Sequence, residues 1–113
     1  MSKIQDKFKE LKSKNEKALI SYIMLGFPNE KATMSTIRGL VKGGVDIIQP
    51  DATVLGGITE WLKVAALATA HGIPIAPHWE QEIHMHLVGA LPNTLWVEYF
   101  HDEIGVRHED KLY

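Results

Sequence analysis

The chain has 113 residues, of which 45% are hydrophobic and 23% are charged, so it is too apolar for a disordered protein and long enough for one domain. Its 12 basic and 14 acidic residues give a net charge of -2, which argues against a dedicated nucleic-acid binder, and the lack of cysteine excludes disulfide scaffolds and thiol catalysis. The longest apolar run is about half of the ~20 residues that a membrane span needs, and the N-terminus lacks an apolar signal core. We therefore expect one domain over residues 1–113, of cytoplasmic type, with no membrane contact.

The first predicted elements are a leading helix and a buried strand. Ile4, Phe8 and Leu11 recur at helical spacing among lysines that acidic residues interrupt, which predicts a helix with one apolar stripe and a solvated face. The segment Ala18–Leu25 is short and apolar and ends at a Gly-Phe-Pro sequence, which is typical of a buried strand.

A second helix and a second strand follow along the chain. The helix predicted over Asn29–Lys42 places its apolar residues on one face, with Asn29 as its N-cap and Gly43-Gly44 at its end. The segment Val45–Gln49 is short and apolar and is stopped by a proline, which predicts a strand.

The remaining sequence repeats this alternation twice. We predict a helix that is capped by Thr59 and ends at His71-Gly72, a strand at Ile73–Ala76, a helix at Glu80–Leu91 and a strand at Thr94–Phe100. The residues expected to be buried are Leu62, Ala65 and Ala66 on the first of these helices and Ile83, Leu87, Val88 and Leu91 on the second. Residues 101–113 are polar, and we expect no more than a loose helix there.

Short strands that alternate with helices predict an α/β fold with right-handed crossovers and a parallel sheet. The predicted order is a leading helix, three strand–helix pairs and a last strand, or (βα)3β. This is half of an eight-stranded TIM barrel, and a flattened, doubly wound, flavodoxin-like sheet is the alternative.

The first part of the chain resembles the tryptophan synthase alpha subunit. The segment that carries the likeness is KNEKALISYIMLGFPNEKATMSTIRGLVKGGVDII, preceded by the lysine-rich helix. The resemblance implies that residues 1–48 are the leading helix, first strand, first helix and second strand of that family's barrel. It breaks at Gln49, where the family carries a catalytic glutamate, and the family's following loop with a second acid is absent.

The second part, residues 45–113, is similar to the mandelate racemase branch of the enolase superfamily, and in particular to its acid-sugar dehydratases. The motifs are QPDATVLGGITEW, GIPIAPHWEQEIHMHLVGALP and LWVEYF, in the family's order. The resemblance implies that they are the sixth, seventh and eighth barrel strands with their helices. It also implies that Asp51 and His78 match a dyad in which histidine acts on the proton alpha to a carboxylate, and that Glu98 matches the acid ending the last strand.

One resemblance gives way to the other inside Val45–Gln49, so strand two of one barrel family is joined to strand six of the other. We interpret the chain as an engineered or recombined chimera that serves to test folding and assembly and has no native catalytic function. The magnesium-binding acids that the second family carries on its third to fifth strands are absent. We therefore expect no cofactor, no metal ion and no activity, with Asp51, His78 and Glu98 as inactive remnants. The alternatives are residual proton transfer, as in a racemase or dehydratase, and weak metal or anion binding at the strand ends, with the same three residues as the candidate metal ligands.

Side chains alternate between the two faces of a strand, so if Asp51 points into the barrel the residues in phase with it do too. That set is Ile20, Tyr22, Met24, Val45, Ile47, Gln49, Ala76, His78, Trp96 and Glu98. The residues that would face the helices are Leu19, Ile23, Ile48, Ile73, Ile75, Leu95 and Val97. The first and last strands would be bare edges. We therefore predict a homodimer in which Thr94–Phe100 of one copy pairs with Ala18–Leu25 of the other, so that two halves close one barrel.

Overall fold

The structure, a computed structural model, describes residues 3–22, 24 and 29–100. In chain order the elements are α1 (Lys3–Ser13), β1 (Ile20–Tyr22), α2 (Glu30–Lys42), β2 (Ile47–Gln49), α3 (Ile58–Ala70) and α4 (Gln81–Ala90). The predicted alternation of helices and strands is therefore present, and the fold is α/β. Within the described residues, no helix combines the length and the apolar character needed to cross a membrane. The predicted loose helix over residues 101–113 lies outside the described part.

The sheet is parallel, and its neighbours follow the order of the chain. β1 pairs with β2 so that Ile20 lies opposite Ile47 and Tyr22 lies opposite Gln49. Two isolated parallel bridges extend the sheet, the first from Ile48 to Ile75 and the second from Ile75 to Thr94. The segments around Ile75 and Thr94 thus lie third and fourth in the sheet, as the alternation predicts for the third and fourth strands.

The predicted third and fourth strands are nevertheless wrong as regular strands, because each is reduced to one bridged residue. Pro74 and Pro77 flank Ile75 closely and have no backbone N–H to donate, so a longer ladder cannot form there. The segment 94–100 has only this short neighbour to pair with and is regular at Thr94 alone. The first strand is also shorter than the predicted 18–25, part of which lies outside the described residues.

The ends of α2 confirm the predicted capping. Asn29 has extended backbone angles, and its side-chain oxygen accepts a hydrogen bond of 3.0 Å from the N–H of Ala32. At the other end, the N–H of Gly43 donates to the carbonyl of Gly39, and Gly44 adopts the left-handed conformation with φ +74°.

The predicted cap and buried face of α3 are wrong in detail. The N-cap is Gly57, with φ +118° and no side-chain hydrogen bond, so Thr59 lies inside the first turn. Leu62 and Ala66, expected in the core, are exposed. The buried set is Trp61, Val64, Ala65 and Ala68, which follows the i, i+3, i+4, i+7 spacing of one helix face. Apolar residues occur all around this helix, at nine of its 13 positions, so its composition alone does not identify the inward face.

The predicted buried face of α4 is also partly wrong. The helix buries Gln81, His84 and Leu87, of which only Leu87 was expected. Ile83 is exposed, whereas Val88 and Leu91 are half-buried. Two polar residues occupy inward positions because hydrogen bonds, described below, compensate for their burial.

One hydrophobic core lies between the helices and one face of the sheet. Its sheet-side members are Val45, Ile48, Ile73 and Ile75, and its helix-side members include Ile37, Trp61 and Leu87. Ile48, Ile73 and Ile75 therefore face the helices as predicted, whereas Leu19 is half exposed. Val45 also belongs to this core, so its predicted place on the opposite face is wrong. Its N–H donates to the carbonyl of Leu40 in the turn after α2, so Val45 precedes the extended strand whose alternation the prediction assumed.

The helix α1 is tied to the amino ends of both strands. Leu11 is buried, and the ammonium of Lys7 lies 3.1 Å from a carboxylate oxygen of Asp46. The other Asp46 oxygen accepts a hydrogen bond of 2.9 Å from the N–H of Leu19. Burial alone raises the pKa of Asp46, but the Leu19 N–H and the Lys7 ammonium outweigh it, so the pKa lies below its ordinary value. This carboxylate therefore joins α1, β1 and β2.

Candidate functional site

The predicted site residues meet at the carboxyl ends of the parallel segments. Asp51 follows β2, His78 follows the Ile75 bridge and Glu98 lies in the segment after Thr94. Asp51 is 4% exposed, and one of its oxygens accepts hydrogen bonds from the N–H of Thr53 at 2.9 Å and from its hydroxyl at 2.7 Å. The loop after β2 thus fixes this carboxylate by a local turn.

His78 lies between two carboxylates without a close hydrogen bond to either. Its Nδ1 is 3.5 Å from an oxygen of Asp51, and its Nε2 is 3.9 Å from an oxygen of Glu98. Both separations exceed those of an ordinary hydrogen bond, and Nδ1 is buried without a partner. The structure therefore brings Asp51 and His78 together. The distance from Nδ1 to the Asp51 oxygen is about half an ångström longer than that of an ordinary hydrogen bond.

Tyr22 of β1 completes the surroundings of His78. Its ring centroid lies 4.2 Å from that of the imidazole, with the planes tilted by 44°. The contact places Tyr22 on the same face of the sheet as His78, as the alternation predicts. Its partner in the register is Gln49, which carries an uncharged amide at the position where the resemblance to the first family implies a glutamate.

Glu98 interacts mainly with the backbone beside His78. One of its oxygens accepts a hydrogen bond of 3.0 Å from the N–H of Trp79. Trp79 and Glu80 both have positive backbone φ angles, 58° and 36°, which residues other than glycine rarely adopt. Phe100 supports this turn because its ring lies 4.8 Å from that of Trp79 and its N–H donates to Gln81 at 2.9 Å. The last segment therefore holds the His78 turn in its strained form.

His84 is a site residue that sequence reasoning missed. It is fully buried, its Nε2 accepts a hydrogen bond of 3.0 Å from the N–H of Ala52, and its Nδ1 donates to the carbonyl of Trp79 at 2.7 Å. These roles require the neutral tautomer protonated at Nδ1. Ala52 follows Asp51 and Trp79 follows His78, so one imidazole joins the two loops that carry the dyad. The sequence signal for its burial is its spacing of three residues from Gln81 and from Leu87, on the inward face of α4. Because histidine is polar, this residue was not expected to be buried.

The three converging residues do not make a metal site. Within residues 3–22, 24 and 29–100, no group of three or more histidine and acidic side chains is close enough to hold an ion. The hypothesis of a weak three-ligand site at Asp51, His78 and Glu98 is therefore not supported by their arrangement. Magnesium prefers a shell of oxygen ligands. The two carboxylates, of Asp51 and Glu98, lie on opposite sides of the His78 imidazole, so this arrangement does not fit that ion.

Comparison with known proteins finds both of the expected families. The family model described as enolase C-terminal domain-like matches residues 30–112, which is well over half of the chain. The chain belongs to this family. The model of the tryptophan synthase alpha chain matches residues 8–50, and the two matches overlap in a stretch that includes Val45–Gln49. The enolase-like chain thus carries two family segments in the predicted order.

Individual relatives show the same division. The L-talarate/galactarate dehydratase of Salmonella typhimurium is 47% identical over 55 residues, which are 49% of this chain and 14% of that protein. The tryptophan synthase alpha chain of Aquifex aeolicus is 45% identical over 49 residues, which are 43% of this chain and 19% of that protein. The enolase-like chain thus spans only a small part of the length of the curated relatives it matches.

Solved structures agree with the enolase relationship. The L-talarate dehydratase of Polaromonas sp. JS666, solved with Mg and L-glucarate, superposes with a TM-score of 0.57 at 36% identity over 72% of this chain and 21% of that one. A mandelate racemase/muconate lactonizing protein of Geobacillus sp. Y412MC10, solved with magnesium and tartrate, gives 0.58 at 27% identity over 84% and 24%. Both comparisons therefore match this chain to part of a larger enolase-superfamily protein.

Proposed function

We propose that the chain is a recombined half-barrel without catalytic activity, whose role is to fold and to assemble with a second copy into one eight-stranded barrel. The observation that carries the proposal is the exposed apolar surface on the site face of β1. Ile20 and Tyr22 are 39% and 43% exposed there, and Met24, which follows β1 in the chain, is 55% exposed. Within the described residues β1 is paired on one side only, by β2, so its other edge is available for a further strand.

The opposite end of the sheet supports the same assembly. Thr94 bridges Ile75 on one side, and Tyr99, further along this segment, is 64% exposed. In the proposed dimer, the last segment of each copy pairs with β1 of the other, so that one two-fold axis relates two identical contacts. If the assembly buries ~1,000 Å2 of apolar surface, the gain is roughly 25 kcal/mol before the costs of association and ordering are subtracted.

The order of the sheet argues against the flattened, doubly wound alternative. In a flavodoxin-like sheet the strand order begins 2-1-3, so the first strand lies between the second and the third. Here β2 lies between β1 and the third segment, because Ile48 bridges Ile75 directly. An order that follows the chain is the order of a barrel.

The chemistry of the site supports the absence of catalysis. Gln49 has no ionisable group at the position where one parent family carries its glutamate. The junction inside Val45–Gln49 joins β2 directly to the dehydratase-like segment, which leaves no place between them for strands that carry metal-binding acids. Without a metal ion or another stabiliser of the enediolate charge, a base such as His78 faces most of the uncatalysed barrier.

Sedimentation equilibrium tests the assembly directly. We expect a mass of twice 12.7 kDa at micromolar concentration. Ile20→Lys places a charge on the exposed face of β1 and should give the monomer. Ile58→Lys makes the same substitution at another exposed isoleucine, at the start of α3, and should leave the dimer intact. A mass of 12.7 kDa that does not change with concentration would refute the proposal.

A second candidate function is slow proton transfer by His78, favoured by its position between Asp51 and Glu98 with Nδ1 unpartnered. The test is exchange of the alpha proton of galactarate for deuterium, followed by NMR. This function predicts exchange above background that is lost in His78→Ala and kept in His86→Ala, the exposed histidine of α4. Exchange equal to the buffer blank would exclude it.

A further inference from the structure

The ring contact between Tyr22 and His78 joins two segments that are not neighbours in the sheet. Tyr22 belongs to β1, the first segment, and His78 follows Ile75 in the third, with β2 between them. Their ring centroids are nevertheless 4.2 Å apart, because both side chains project from the same face of the sheet. The side chains of alternate segments therefore meet over β2.

Contacts between alternate strands are the units from which a barrel interior is built. In an eight-stranded parallel barrel the inward side chains form layers of four, and the members of each layer come from alternate strands. Tyr22 and His78 are the members that a first and a third strand supply. One copy therefore provides half of such a layer. Both residues keep accessible surface, since Tyr22 is 43% exposed and the His78 side chain is 28% exposed.

The two-fold axis of the dimer proposed above determines what supplies the other half. Around the closed barrel, the first and third segments of one copy are followed by the first and third segments of its partner. We propose that Tyr22 and His78 of both copies form one shared layer of four rings, in which phenol and imidazole alternate. Each His78 then has the partner's Tyr22 on its open side. This inference rests on the proposed assembly, and it makes the site of each copy incomplete without the other.

The surroundings of His78 are compatible with a second tyrosine. Within one copy, Asp51 and Glu98 lie nearest its two ring nitrogens, at 3.5 and 3.9 Å, and the contact with Tyr22 is between rings. Aromatic rings attract each other in tilted or offset arrangements, and this pair is tilted by 44°. The partner's Tyr22 would therefore add ring contacts without adding a charge beside the two carboxylates.

The experiment is NMR of mixed dimers, in which a parent copy with isotope-labelled histidine is combined with an excess of an unlabelled variant. With unlabelled Tyr22→Leu, the ring protons of the labelled His78 should shift, because the ring current of the partner's Tyr22 is lost while the copy's own Tyr22 is intact. His86, exposed on α4, should not shift and serves as the internal reference. The matched control is unlabelled Phe8→Leu, which removes a ring of similar exposure, 42%, from α1 and should leave His78 unchanged.

Sedimentation equilibrium of the same samples separates two kinds of failure. If the mass is that of a dimer and His78 responds equally to both variants, or to neither, the shared layer is refuted while the assembly stands. If the parent is a monomer, both are refuted.

A second measurement needs no substitution, in case Tyr22→Leu does not fold or does not enter mixed dimers. In a parent dimer with one labelled copy, isotope-filtered nuclear Overhauser spectra record only contacts between copies. A cross-peak between the ring protons of the labelled His78 and those of Tyr22 in the unlabelled copy is expected. A dimer that lacks this cross-peak would overturn the shared layer.

Discussion

The substitution His84→Ala would remove the imidazole that joins the Asp51 loop to the His78 turn. In the folded protein it would leave the N–H of Ala52 and the carbonyl of Trp79 without partners. An unsatisfied buried polar group costs about 1–3 kcal/mol, and the Ala52 N–H is fully buried whereas the Trp79 carbonyl is partly so. Deleting the ring also opens a void against Trp61, whose ring centroid lies 6.1 Å away. We expect a total loss of about 3–5 kcal/mol in the free energy of unfolding.

The assay is urea unfolding followed by circular dichroism, at one fixed protein concentration because the proposed dimer would make stability depend on concentration. With a denaturant slope of roughly 1–3 kcal/mol per M, the midpoint should fall by about 1–5 M. The matched control is His86→Ala, an exposed histidine on the same helix, which should change stability by less than about 0.5 kcal/mol.

Two outcomes would contradict this reasoning. A loss in His84→Ala no larger than in His86→Ala would mean that the two hydrogen bonds do not form in solution. Long-range proton–nitrogen NMR provides an independent measurement, because the structure requires His84 to carry its proton on Nδ1 and to accept at Nε2. A spectrum with the proton on Nε2 would rule out the bridge even if the stability loss were as large as expected.

Three further predictions concern the ends of elements and one titrating carboxylate. Asn29→Ala removes the α2 cap and should cost ~1 kcal/mol in urea unfolding. Gly39→Ala, in the middle of α2 with open space around it, should stabilise by ~1 kcal/mol, whereas Gly57→Ala, at φ +118°, should destabilise by more than ~1 kcal/mol; equal effects would contradict the backbone angles. The lowered pKa of Asp46 means that its contribution is fully present above its unfolded-state pKa of ~3.9 and is lost as the pH falls through the lower folded-state pKa. Unfolding measured from pH 6 to pH 2 should therefore lose less stability in Asp46→Asn than in the parent, and an unchanged pH dependence would contradict the contacts of Asp46.

The order of elements was predicted correctly because residues that end helices and strands separate the apolar segments clearly. Gly43-Gly44, Pro50 and His71-Gly72 each end an element where the structure ends one. The lengths of the later strands were not predicted, because a strand exists only through its neighbour. The segment around Ile75 is apolar enough for a strand, yet its flanking prolines limit the hydrogen bonds that Thr94 and its successors could share.

The candidate site was predicted through resemblance, and its geometry was not. Alternation correctly placed Tyr22 and His78 on one face, because a regular period of two needs only extended backbone. It could not show that Glu98 would accept from the N–H of Trp79, because that contact depends on two residues in left-handed conformations. It also could not single out His84, because an imidazole on an inward helix face becomes a structural residue only when a donor and an acceptor meet it there.

The agreement between sheet order and chain order has a consequence for how this protein can be altered. Each contact in the sheet joins two segments that are successive along the chain, and one connection links the two members of each pair. No segment has to be threaded between two strands that are already paired. A further strand–helix unit could therefore be appended after the segment 94–100 and would extend the sheet without reordering it. The order of segments is modular in this sense, and an added unit would take the edge at the segment 94–100 that the proposed dimer uses.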